Sequence, residues 1–491
     1  MQDGPLRVAL IYPQGHHNIH MPIPPLSLAY LIKYYQTYGQ NNAKVEFRIF
    51  DENAEHRNLI HDVADYHPHM AGITALSFTK SSADRCADQL RSLLPDIFII
   101  GGGVHFQVCP TDGLLEKRYD VVCTGEGEEP FRSVIDDYLL NCSGSKSLSN
   151  IPNLAWLDAN NCIAQSKQRF VADLVNNPLP DYEWFNRRYY FAFRHFIPRV
   201  YGRSATILTS RGCPFNCSFC FNSFRDRSVR KHDIRAIVDQ MAHLRNKFRI
   251  TKFAIGDDLF FMDRPRVKLF CERIITELPD IHWACLARPS ILRHDDLPLM
   301  QLMKRSGCIQ ISYGMETGSE ELLKKLKGPD SSISKNEVAL DLAWRAGIPV
   351  FAFFMCGIPG ETEEQMAMTR NFIKNHLDKI QYLELFVYTP YPGSKLAEEV
   401  RRMGILENIS NDELSVNNLV EGKIKAFNPL VPSEKILKFR QEIKQIVIQK
   451  YSMVDKIIWL IVNTLDNPSR TFRRLKALYG RANPSSADNM Q

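Results

Sequence analysis

The sequence lacks the patterns that would place it in a membrane or secreted class. No stretch of its 491 residues approaches the roughly 18 consecutive apolar residues that a membrane-spanning helix needs. The N-terminal sequence MQDGPLRVALIYPQ has no basic segment followed by a long apolar run, as a signal peptide would. The G-x-G-x-x-G dinucleotide fingerprint is also absent. We therefore expect a cytoplasmic protein without a transmembrane segment.

Most of the cysteines show no regular spacing pattern, and one loop is the exception. The cysteines without a spacing pattern are Cys86, Cys109, Cys123, Cys142, Cys162, Cys271, Cys285, Cys308 and Cys356. Several lie in apolar runs, where a buried free thiol is the usual explanation, and this favours a reducing compartment. The exception is TSRGCPFNCSFCFN at residues 209–222, in which Cys213, Cys217 and Cys220 are spaced C-x3-C-x2-C.

This loop predicts an iron–sulfur cluster with an open iron. Iron–sulfur clusters usually take four cysteine ligands, so three thiolates leave the fourth iron of a [4Fe-4S] cluster free for chemistry. The spacing resembles that of the radical S-adenosylmethionine (SAM) superfamily. The resemblance implies that Cys213, Cys217 and Cys220 are the catalytic cluster ligands and that the open iron binds SAM. A structural zinc loop is the alternative, although no second C-x2-C pair is present.

Residues 1–140 alternate strand-like and helix-like segments, which predicts a doubly wound, flavodoxin-like α/β sheet. The strand-like runs are residues 6–12, 45–50, 71–78, 97–100 and 120–124. Two glycine segments follow the last two runs, GGGVH at residues 101–105 and TGEGE at residues 124–128. Ligands of such sheets bind outside the carboxyl ends of the strands, where glycine permits close approach. We expect a cofactor with phosphate or nucleotide parts.

Together with PPLSLAY at residues 24–30, these segments resemble the cobalamin-binding domain that precedes many radical SAM cores. The resemblance assigns cobalamin contacts to Ser77, Gly101, Gly102, Gly103, Val104, Gly125 and Glu126. The D-x-H-x-x-G motif, which supplies an axial histidine in some cobalamin proteins, is absent, and QGHHN stands at residues 14–18. We interpret His16, His17, His20 and His69 as loop or surface residues. The lower axial ligand stays open, and a degenerate domain kept for packing is the alternative.

Residues 141–202 are predicted to form a connector. It contains a small hairpin around Asp158-Ala159-Asn160-Asn161 and an aromatic block at residues 182–196. The block either lines a channel between the domains or packs between them.

Residues 203–396 show repeated strand–helix units, which predict a partial (β/α)6 radical SAM barrel. The resemblance and the positions of residues after strands give the candidate SAM contacts, which are Phe219, Asp257, Arg288, Gly314, Glu316, Gly357, Ile358 and Gly360. An arginine fork suits the SAM carboxylate, whereas Glu316 lies in a motif that receives hydrogen bonds from the methionine ammonium. Asp257 or Asp258 is placed for a ribose hydroxyl or the substrate, with helix capping as the alternative.

The segment CGIPGET at residues 356–362 is similar to the adenine-contacting G-x-I-x-G-x-x-E segment of the superfamily. Its acidic position is open among Glu361, Glu363 and Glu364. Thr362 and Gln365 predict a capping box for the helix that follows.

Residues 397–491 are predicted to be a helical, basic C-terminal region. Residues 433–451 carry an amphipathic stripe. Residues 457–465 are apolar, and residues 470–476 are basic. These segments either pack against the barrel or contact a membrane surface or a lipidic or anionic substrate.

The combined motifs imply a cobalamin-dependent radical SAM C-methyltransferase. Its expected substrate is a small molecule rather than a macromolecule, and we interpret it as a large, apolar compound of that class. An electron donor such as flavodoxin or ferredoxin is the expected partner, and nucleic acid is not. One alternative is a cobalamin-dependent radical cyclase or oxidoreductase without methyl transfer. Another is a non-catalytic corrinoid or metal sensor. A methylthiotransferase would need a further cysteine triad.

Overall fold

A computed structural model of the chain describes residues 4–13, 23–55, 58–141, 148–171, 173–191, 202–221, 228–406 and 426–450. The N-terminal strands are β1 (Leu6–Tyr12), β2 (Val45–Asp51), β3 (Met70–Thr74), β4 (Phe98–Gly102), β5 (Val121–Cys123), β6 (Leu154–Leu157) and β7 (Ile163–Gln165). The helices of this part are α1 (Leu26–Tyr38), α2 (Glu52–Glu55), α3 (Leu59–Asp65), α4 (Lys80–Leu93), α5 (Val104–Val108), α6 (Glu128–Asn141) and α7 (Arg187–Tyr190).

The first sheet has the strand order β2-β1-β3-β4-β5-β6-β7. Strands β1 to β5 are parallel, with β1 pairing with both β2 and β3. This is the flavodoxin-like order, in which a ligand site lies at the carboxyl ends of the strands. The predicted doubly wound sheet is confirmed. The hairpin β6–β7 extends the sheet with antiparallel strands, so it packs with the N-terminal part of the chain.

The third strand is shorter than predicted. We expected residues 71–78, but β3 ends at Thr74, and a 3₁₀ turn occupies Ser77–Thr79. The Thr79 hydroxyl accepts a hydrogen bond from the backbone N–H of Leu76 at 2.9 Å, which closes this turn. The turn ends the strand and brings Ser77 to the carboxyl edge of the sheet.

The second sheet is built from consecutive strand–helix units. Its strands and the neighbouring ribbon are β8 (Arg203–Ile207), β9 (Ser210–Arg211), β10 (Arg230–Lys231), β11 (Ile250–Ile255), β12 (His282–Ala287), β13 (Cys308–Glu316), β14 (Val350–Cys356) and β15 (Tyr382–Val387). The helices are α8 (Ile234–Phe248), α9 (Arg264–Glu277), α10 (Leu297–Arg305), α11 (Glu320–Lys327), α12 (Ile333–Arg345), α13 (Glu363–Asn375), α14 (Lys395–Arg402) and α15 (Ser433–Lys450).

Six strands of this part form one parallel sheet in the order β15-β14-β13-β12-β11-β8. Because neighbours in the sheet are also neighbours in sequence, the chain winds in one direction, as a partial barrel requires. Along β14, residues Val350, Ala352, Phe354 and Cys356 are buried against the helices. The residues between them face the opposite side of the sheet. The predicted partial (β/α)6 barrel is confirmed.

Helix starts in this part follow local sequence signals. Thr362 caps α13, and Gln365 returns a hydrogen bond to the Thr362 backbone, so the predicted capping box is confirmed. The side chains of Asp233, Ser319 and Ser394 accept backbone hydrogen bonds at the starts of α8, α11 and α14. These caps satisfy N–H groups that a helix start leaves without partners.

The described part of the aromatic block packs between the two sheets. Tyr182 and Phe191 are buried in the same core cluster as Phe248 of α8. The Tyr182 hydroxyl donates to the carbonyl of Thr206 on β8 at 2.6 Å. These contacts support the packing interpretation for residues 182–191. Residues 192–196 lie outside the described residues.

Helix α15 covers the edge strand of the barrel sheet. Its residues Ile436, Phe439 and Ile443 are buried. Arg440 donates through Nε to the carbonyl of Leu385 on β15 at 3.2 Å. Since an open edge strand exposes unpaired backbone groups, this contact protects it. The amphipathic stripe therefore packs on the barrel, whereas the expectations for residues 457–465 and 470–476 fall outside the described residues.

None of the helices in the described ranges has the length and apolarity that crossing a bilayer requires.

Two neighbouring glycines at the end of β4 should respond differently to substitution. A Cβ on Gly103 would lie 2.5 Å from the Ala75 carbonyl oxygen, and Gly103 has φ +97°, whereas a Cβ on Gly102 meets nothing within 4 Å. We expect Gly103→Ala to lower the free energy of unfolding by about 1–3 kcal/mol. Gly102→Ala should change it by less than about 0.5 kcal/mol. Urea denaturation of the two apoproteins tests this, and equal midpoints would contradict it.

Candidate functional site

The three-cysteine loop leaves the carboxyl end of β8 and rests on the end of α11. Cys213, Cys217 and Cys220 are partly exposed, and none of them forms a disulfide. The Ser218 N–H donates to the carbonyl of Leu326 at 2.8 Å. The loop therefore presents its sulfurs at the barrel mouth while its backbone is held from behind.

A buried aspartate anchors the start of this loop. The carboxylate of Asp257, which follows β11, accepts hydrogen bonds from the backbone N–H and hydroxyl of Thr209 and from the Ser210 hydroxyl, at 2.6, 2.5 and 2.6 Å. Because both oxygens are occupied in this way, the geometry gives no support to the predicted ligand contact of Asp257. Its neighbour Asp258 is exposed. Partial burial raises the pKa of the Cys213 thiol, and the charge of Asp258 adds to the rise.

Arg288 lies directly against the cluster loop. Its Nη1 is 2.9 Å from the sulfur of Cys217, and its guanidinium stacks 4.0 Å over the ring of Phe215. Nη2 donates to the carbonyl of Lys327 and to the Ser331 hydroxyl. The guanidinium therefore places a positive charge beside one of the three predicted cluster ligands. The structure thus adds a contact with the cluster ligand, while the predicted contact with the SAM carboxylate stays a prediction.

Glu316 already holds an ammonium group. Its carboxylate is 3.0 Å from Nζ of Lys327, and both side chains are more than nine-tenths buried, at 9% and 7% exposure. Lys327 also donates to the carbonyl of Gly314 at 2.5 Å. A Cβ on Gly314 would lie 2.4 Å from the Glu316 carboxylate, so a larger residue here would require this carboxylate to shift. The pocket matches the charge of the methionine ammonium that Glu316 is predicted to bind.

The segment after β14 forms a tight glycine turn. Gly357 and Gly360 have φ of +69° and +82°, a region that favours glycine. The Glu361 carboxylate accepts hydrogen bonds from the N–H groups of Gly357 and Ile358 at 2.7 and 3.2 Å. Burial raises the pKa of Glu361 to about 8. Glu361 therefore supports the turn from inside, whereas Glu363 lies on α13 with a partner in Lys435.

Two predicted contacts belong to an apolar cluster below this turn. The Ile358 side chain is fully buried with Leu326 and Leu396. Phe219 packs against the same cluster and stays partly exposed. The N–H of Ile358 donates to the Glu361 carboxylate, and its carbonyl accepts from the Glu361 N–H at 2.9 Å. The geometry therefore gives no support to the predicted SAM contact of Ile358, which stays a prediction.

The predicted cobalamin residues near β3 and β4 differ in how open their surroundings are. Ser77, Gly102 and Val104 lie at the open carboxyl edge of β3 and β4, and Gly103 turns the chain there. Gly101 is closed in, since a Cβ on it would lie 3.0–3.1 Å from Tyr119, Val122 and Phe106. Ser77, Gly102 and Val104 are therefore partly exposed, whereas Gly101 is buried.

The second glycine segment faces the barrel. Gly125 lies against the Asn153 side chain, 2.7 Å from a Cβ position. The Glu126 carboxylate pairs with Arg230 at 2.7 Å and accepts from the Val171 N–H at 2.6 Å. These partners occupy Glu126, so the geometry does not support its predicted cobalamin contact, which stays a prediction.

Glu128 and Arg211 complete an ion-pair cluster between the two domains. Arg211, two residues before Cys213, contacts Glu128 at 2.6 Å. Its guanidinium also lies 4.7 Å over the ring of Tyr30, which belongs to the PPLSLAY segment. Two of the three segments that resemble a cobalamin domain thus contact the foot of the cluster loop. We refer to Glu126, Glu128, Arg211 and Arg230 as the interdomain ion-pair cluster.

The carboxyl edges of the two sheets also meet at a second place. A Cβ on Gly393, in the turn after β15, would lie 2.2 Å from the Val108 side chain of α5 and 3.1 Å from Phe221 of the cluster loop. The end of the barrel, the cluster loop and the GGGVH helix are therefore in close contact.

A cavity of about 430 Å³ opens beside the cluster loop. It is lined by Pro214, Val229, Lys231, Met262, Asp263, Arg264 and Pro265. This volume is in the range of small-molecule sites.

Sequence reasoning missed Lys327 and Arg211. Lys327 stands in a lysine-rich helix end, where a solvent-exposed role is the usual expectation. Arg211 lies inside the cluster segment, but its acidic partners are distant in sequence. The nearness of Arg211 to Cys213 was the only available signal.

Comparisons with known proteins agree with this geometry. The Radical SAM superfamily profile matches residues 207–373, and the B12 binding domain profile matches residues 17–135. An uncharacterized methyltransferase of Pyrococcus horikoshii is 27% identical over 80% of this chain and 83% of that protein. The anaerobic magnesium-protoporphyrin IX monomethyl ester cyclase of Cereibacter sphaeroides is 24% identical over 81% of this chain and 64% of the cyclase.

A solved structure shares the whole architecture. The cobalamin-dependent SAM radical enzyme OxsB, with aqua-cobalamin and SAM bound, superposes with a TM-score of 0.72 at 16% identity and covers 99% of this chain and 74% of its own. The matched families confirm the two predicted resemblances and the predicted cofactors, which are a [4Fe-4S] cluster, SAM and cobalamin.

Substitutions at Asp257 and Asp258 should distinguish a role in anchoring the cluster loop from a role in ligand contact. Asp257→Asn replaces one of the two accepting oxygens with an NH2 donor, so the hydrogen bonds to Thr209 and Ser210 cannot all form. We expect less bound iron after anaerobic reconstitution and a loss of about 2 kcal/mol or more in stability. Asp258→Asn should keep the iron content of the unaltered protein. Iron and sulfide assays with denaturation curves measure this. Full iron content and unchanged stability in Asp257→Asn would contradict the anchoring role.

Glu316→Gln should weaken binding of the amino-acid part of the ligand. We expect the Kd for S-adenosylhomocysteine to rise roughly 10- to 100-fold, because a charged hydrogen bond is lost. Binding of 5′-methylthioadenosine, which lacks the amino acid, should not change. Calorimetry with both ligands on cluster-loaded protein measures this, and Glu364→Gln at an exposed position is the control. Equal losses for both ligands would count against the assignment.

Proposed function

We propose that this chain, a radical SAM enzyme with a B12-binding domain, is a cobalamin-dependent C-methyltransferase acting on an unactivated carbon of a small molecule. One observation carries the proposal. The carboxyl edges of the two sheets face each other, with α5 and the cluster loop in contact through the turn at Gly393. A substrate held between these edges would be within reach of both cofactors.

When bound, the cluster and SAM supply a 5′-deoxyadenosyl radical that removes a hydrogen atom, and cobalamin supplies the methyl group. The chain's own residues hold these groups. Cys213, Cys217 and Cys220 would ligate the cluster, and Arg288 places positive charge beside Cys217. Glu316 offers a buried carboxylate to an ammonium group.

The relatives support methyl transfer and leave one alternative. The methyltransferase of Pyrococcus horikoshii aligns over most of both chains. The cyclase of Cereibacter sphaeroides favours a radical cyclisation or oxidation without methyl transfer as the second candidate. Both candidates use the same radical start, so their products distinguish them.

An apolar substrate is supported by the aromatic residues on the face of the barrel sheet opposite the core. Phe351 and Phe353 on β14 lie on the face opposite the core, with Phe353 6.0 Å from Phe386 on β15. Phe386 is 38% exposed. Phe351 and Phe353 are partly exposed. Aromatic side chains that are grouped on one face and not fully buried favour an apolar or aromatic ligand.

We further propose a cytoplasmic protein that takes electrons from a flavodoxin or ferredoxin. Free cysteines throughout the described residues fit a reducing compartment. The proposed domains are residues 1–140, 141–202, 203–396 and 397–491, with the hairpin of the second segment supplying two strands of the first sheet. The proposed site residues are those that the sequence assigned, with Asp257, Gly101, Gly125 and Glu126 acting through packing and anchoring.

Product analysis tests the function. Anaerobic protein loaded with iron, sulfide and hydroxocobalamin, then reduced and given SAM, should form 5′-deoxyadenosine. It should also form S-adenosylhomocysteine in an amount matching the bound corrinoid, because methyl donation leaves that product. Cys213→Ala should abolish 5′-deoxyadenosine formation, whereas Cys162→Ala, on the exposed hairpin turn, should not.

Other product patterns decide between the alternatives. Accumulation of 5′-deoxyadenosine without S-adenosylhomocysteine would favour the radical cyclase. Zinc in place of iron, with no SAM cleavage, would contradict both enzymatic functions.

A further inference from the structure

We infer that His105, held by Asp112, is a positioning residue that turns the Ser77 hydroxyl into a hydrogen-bond acceptor for the bound corrinoid. The inference rests on the proposed function, since it takes a corrinoid as the ligand of this edge. The three side chains form a chain of two hydrogen bonds. His105 Nδ1 lies 3.3 Å from Ser77 Oγ, and His105 Nε2 lies 2.9 Å from Asp112 Oδ2.

Asp112 fixes the tautomer of the imidazole. The hydrogen bond from His105 lowers the pKa of the Asp112 carboxyl below its ordinary value, so the carboxylate is ionised at neutral pH and can only accept. In the inferred tautomer the ring proton resides on Nε2, which donates to the Asp112 carboxylate. This leaves a lone pair on Nδ1, the nitrogen that faces Ser77.

The tautomer sets the direction of the Ser77 hydroxyl. Since Nδ1 can only accept, the Ser77 O–H must donate to it. The free side of Ser77 Oγ then carries only lone pairs. Ser77 is partly exposed at the open edge of the first sheet, beside Gly102, where a Cβ would meet nothing within 4 Å. A ligand at this edge therefore meets an acceptor.

Corrinoids carry two kinds of donor that this acceptor can take. The amide side chains of the corrin ring have N–H groups, and the nucleotide tail has a ribose hydroxyl. Both groups are hydrogen-bond donors, so the inferred partner of Ser77 is an N–H or O–H donor of the corrinoid.

Among the described residues, the hydrogen-bond partners of the His105 ring are Ser77 and Asp112. It has no exposed surface, and its neighbour Phe106 packs edge-on against it. The nearby cation Lys80 is engaged by Asp84 at 2.6 Å. The orientation of the imidazole is thus determined by Ser77 and Asp112.

A metal site is the competing interpretation of these residues. The donor atoms of His105, Cys109 and Asp112 lie within 4.8 Å of one another. However, both ring nitrogens of His105 already have partners. The hydrogen-bond chain accounts for the contacts without a metal.

A double-mutant cycle tests the inference. The Kd for hydroxocobalamin is measured by absorbance titration of the apoprotein for Ser77→Ala, His105→Leu and the double variant. We expect each single change to raise the Kd up to about tenfold, the size of one lost hydrogen bond. The double variant should be no weaker than Ser77→Ala, because His105 acts only through Ser77. Losses that multiply would show an independent packing role for His105 and overturn the inference.

Two further variants sharpen the result. Asp112→Asn should weaken binding as His105→Leu does, because an amide can donate to Nε2 and reverse the tautomer. Cys109→Ser should bind hydroxocobalamin as the unaltered protein does. Bound zinc in the unaltered protein that Cys109→Ser loses would overturn the inference in favour of a metal site.

Cobinamide, which lacks the nucleotide tail, distinguishes the two donors. Equal losses for cobinamide and hydroxocobalamin assign the donor to a ring amide, and losses confined to hydroxocobalamin assign it to the ribose. Thermal unfolding of each apoprotein controls for folding. Binding that is unchanged in all variants overturns this inference alone. An unaltered protein that retains no corrinoid overturns the proposed function with it.

Discussion

The structure depends on the buried interdomain ion-pair cluster that joins the TGEGE segment to the foot of the cluster loop. Glu128 and Arg211 are 5% and 17% exposed and lie 2.6 Å apart. A buried ion pair gains little net stability over apolar packing, yet removing one partner costs about 3–5 kcal/mol because the other charge is left alone. Such pairs therefore fix geometry more than they add stability. Here they fix how the first sheet faces the residues that precede Cys213.

The cluster loop is held from several independent directions. Asp257 anchors its start from β11, Arg288 contacts it from β12, and the end of α11 receives its backbone through Leu326. Each anchor comes from a different strand–helix unit of the barrel. A site supported by rigid elements keeps its geometry better than a site on a free loop. The thiols can therefore remain exposed to a cofactor while the loop itself is constrained.

The sequence was informative where a single segment carries the signal. The spacing of Cys213, Cys217 and Cys220 predicted the cluster loop, and alternating segments predicted both sheets, because these patterns are local. The partner of a carboxylate could not be predicted from its own segment. Glu126 and Arg230 are 104 positions apart in the chain, and nothing in the TGEGE segment indicates that its acids face a second domain. For the same reason, Asp257 was assigned to a ligand although it holds the neighbouring loop.

Lys327 illustrates a constraint that buried charge places on any ligand site. A buried carboxylate without a partner is costly, so Glu316 must be neutralised even when no ligand is bound. Lys327 meets this need, because its Nζ reaches both the carboxylate and the Gly314 carbonyl. The ligand ammonium that Glu316 is predicted to bind would take the place of the Lys327 Nζ, so the carboxylate would be paired with a cation in both states. The predicted ligand contact is thus compatible with a Glu316 that is already paired when no ligand is bound.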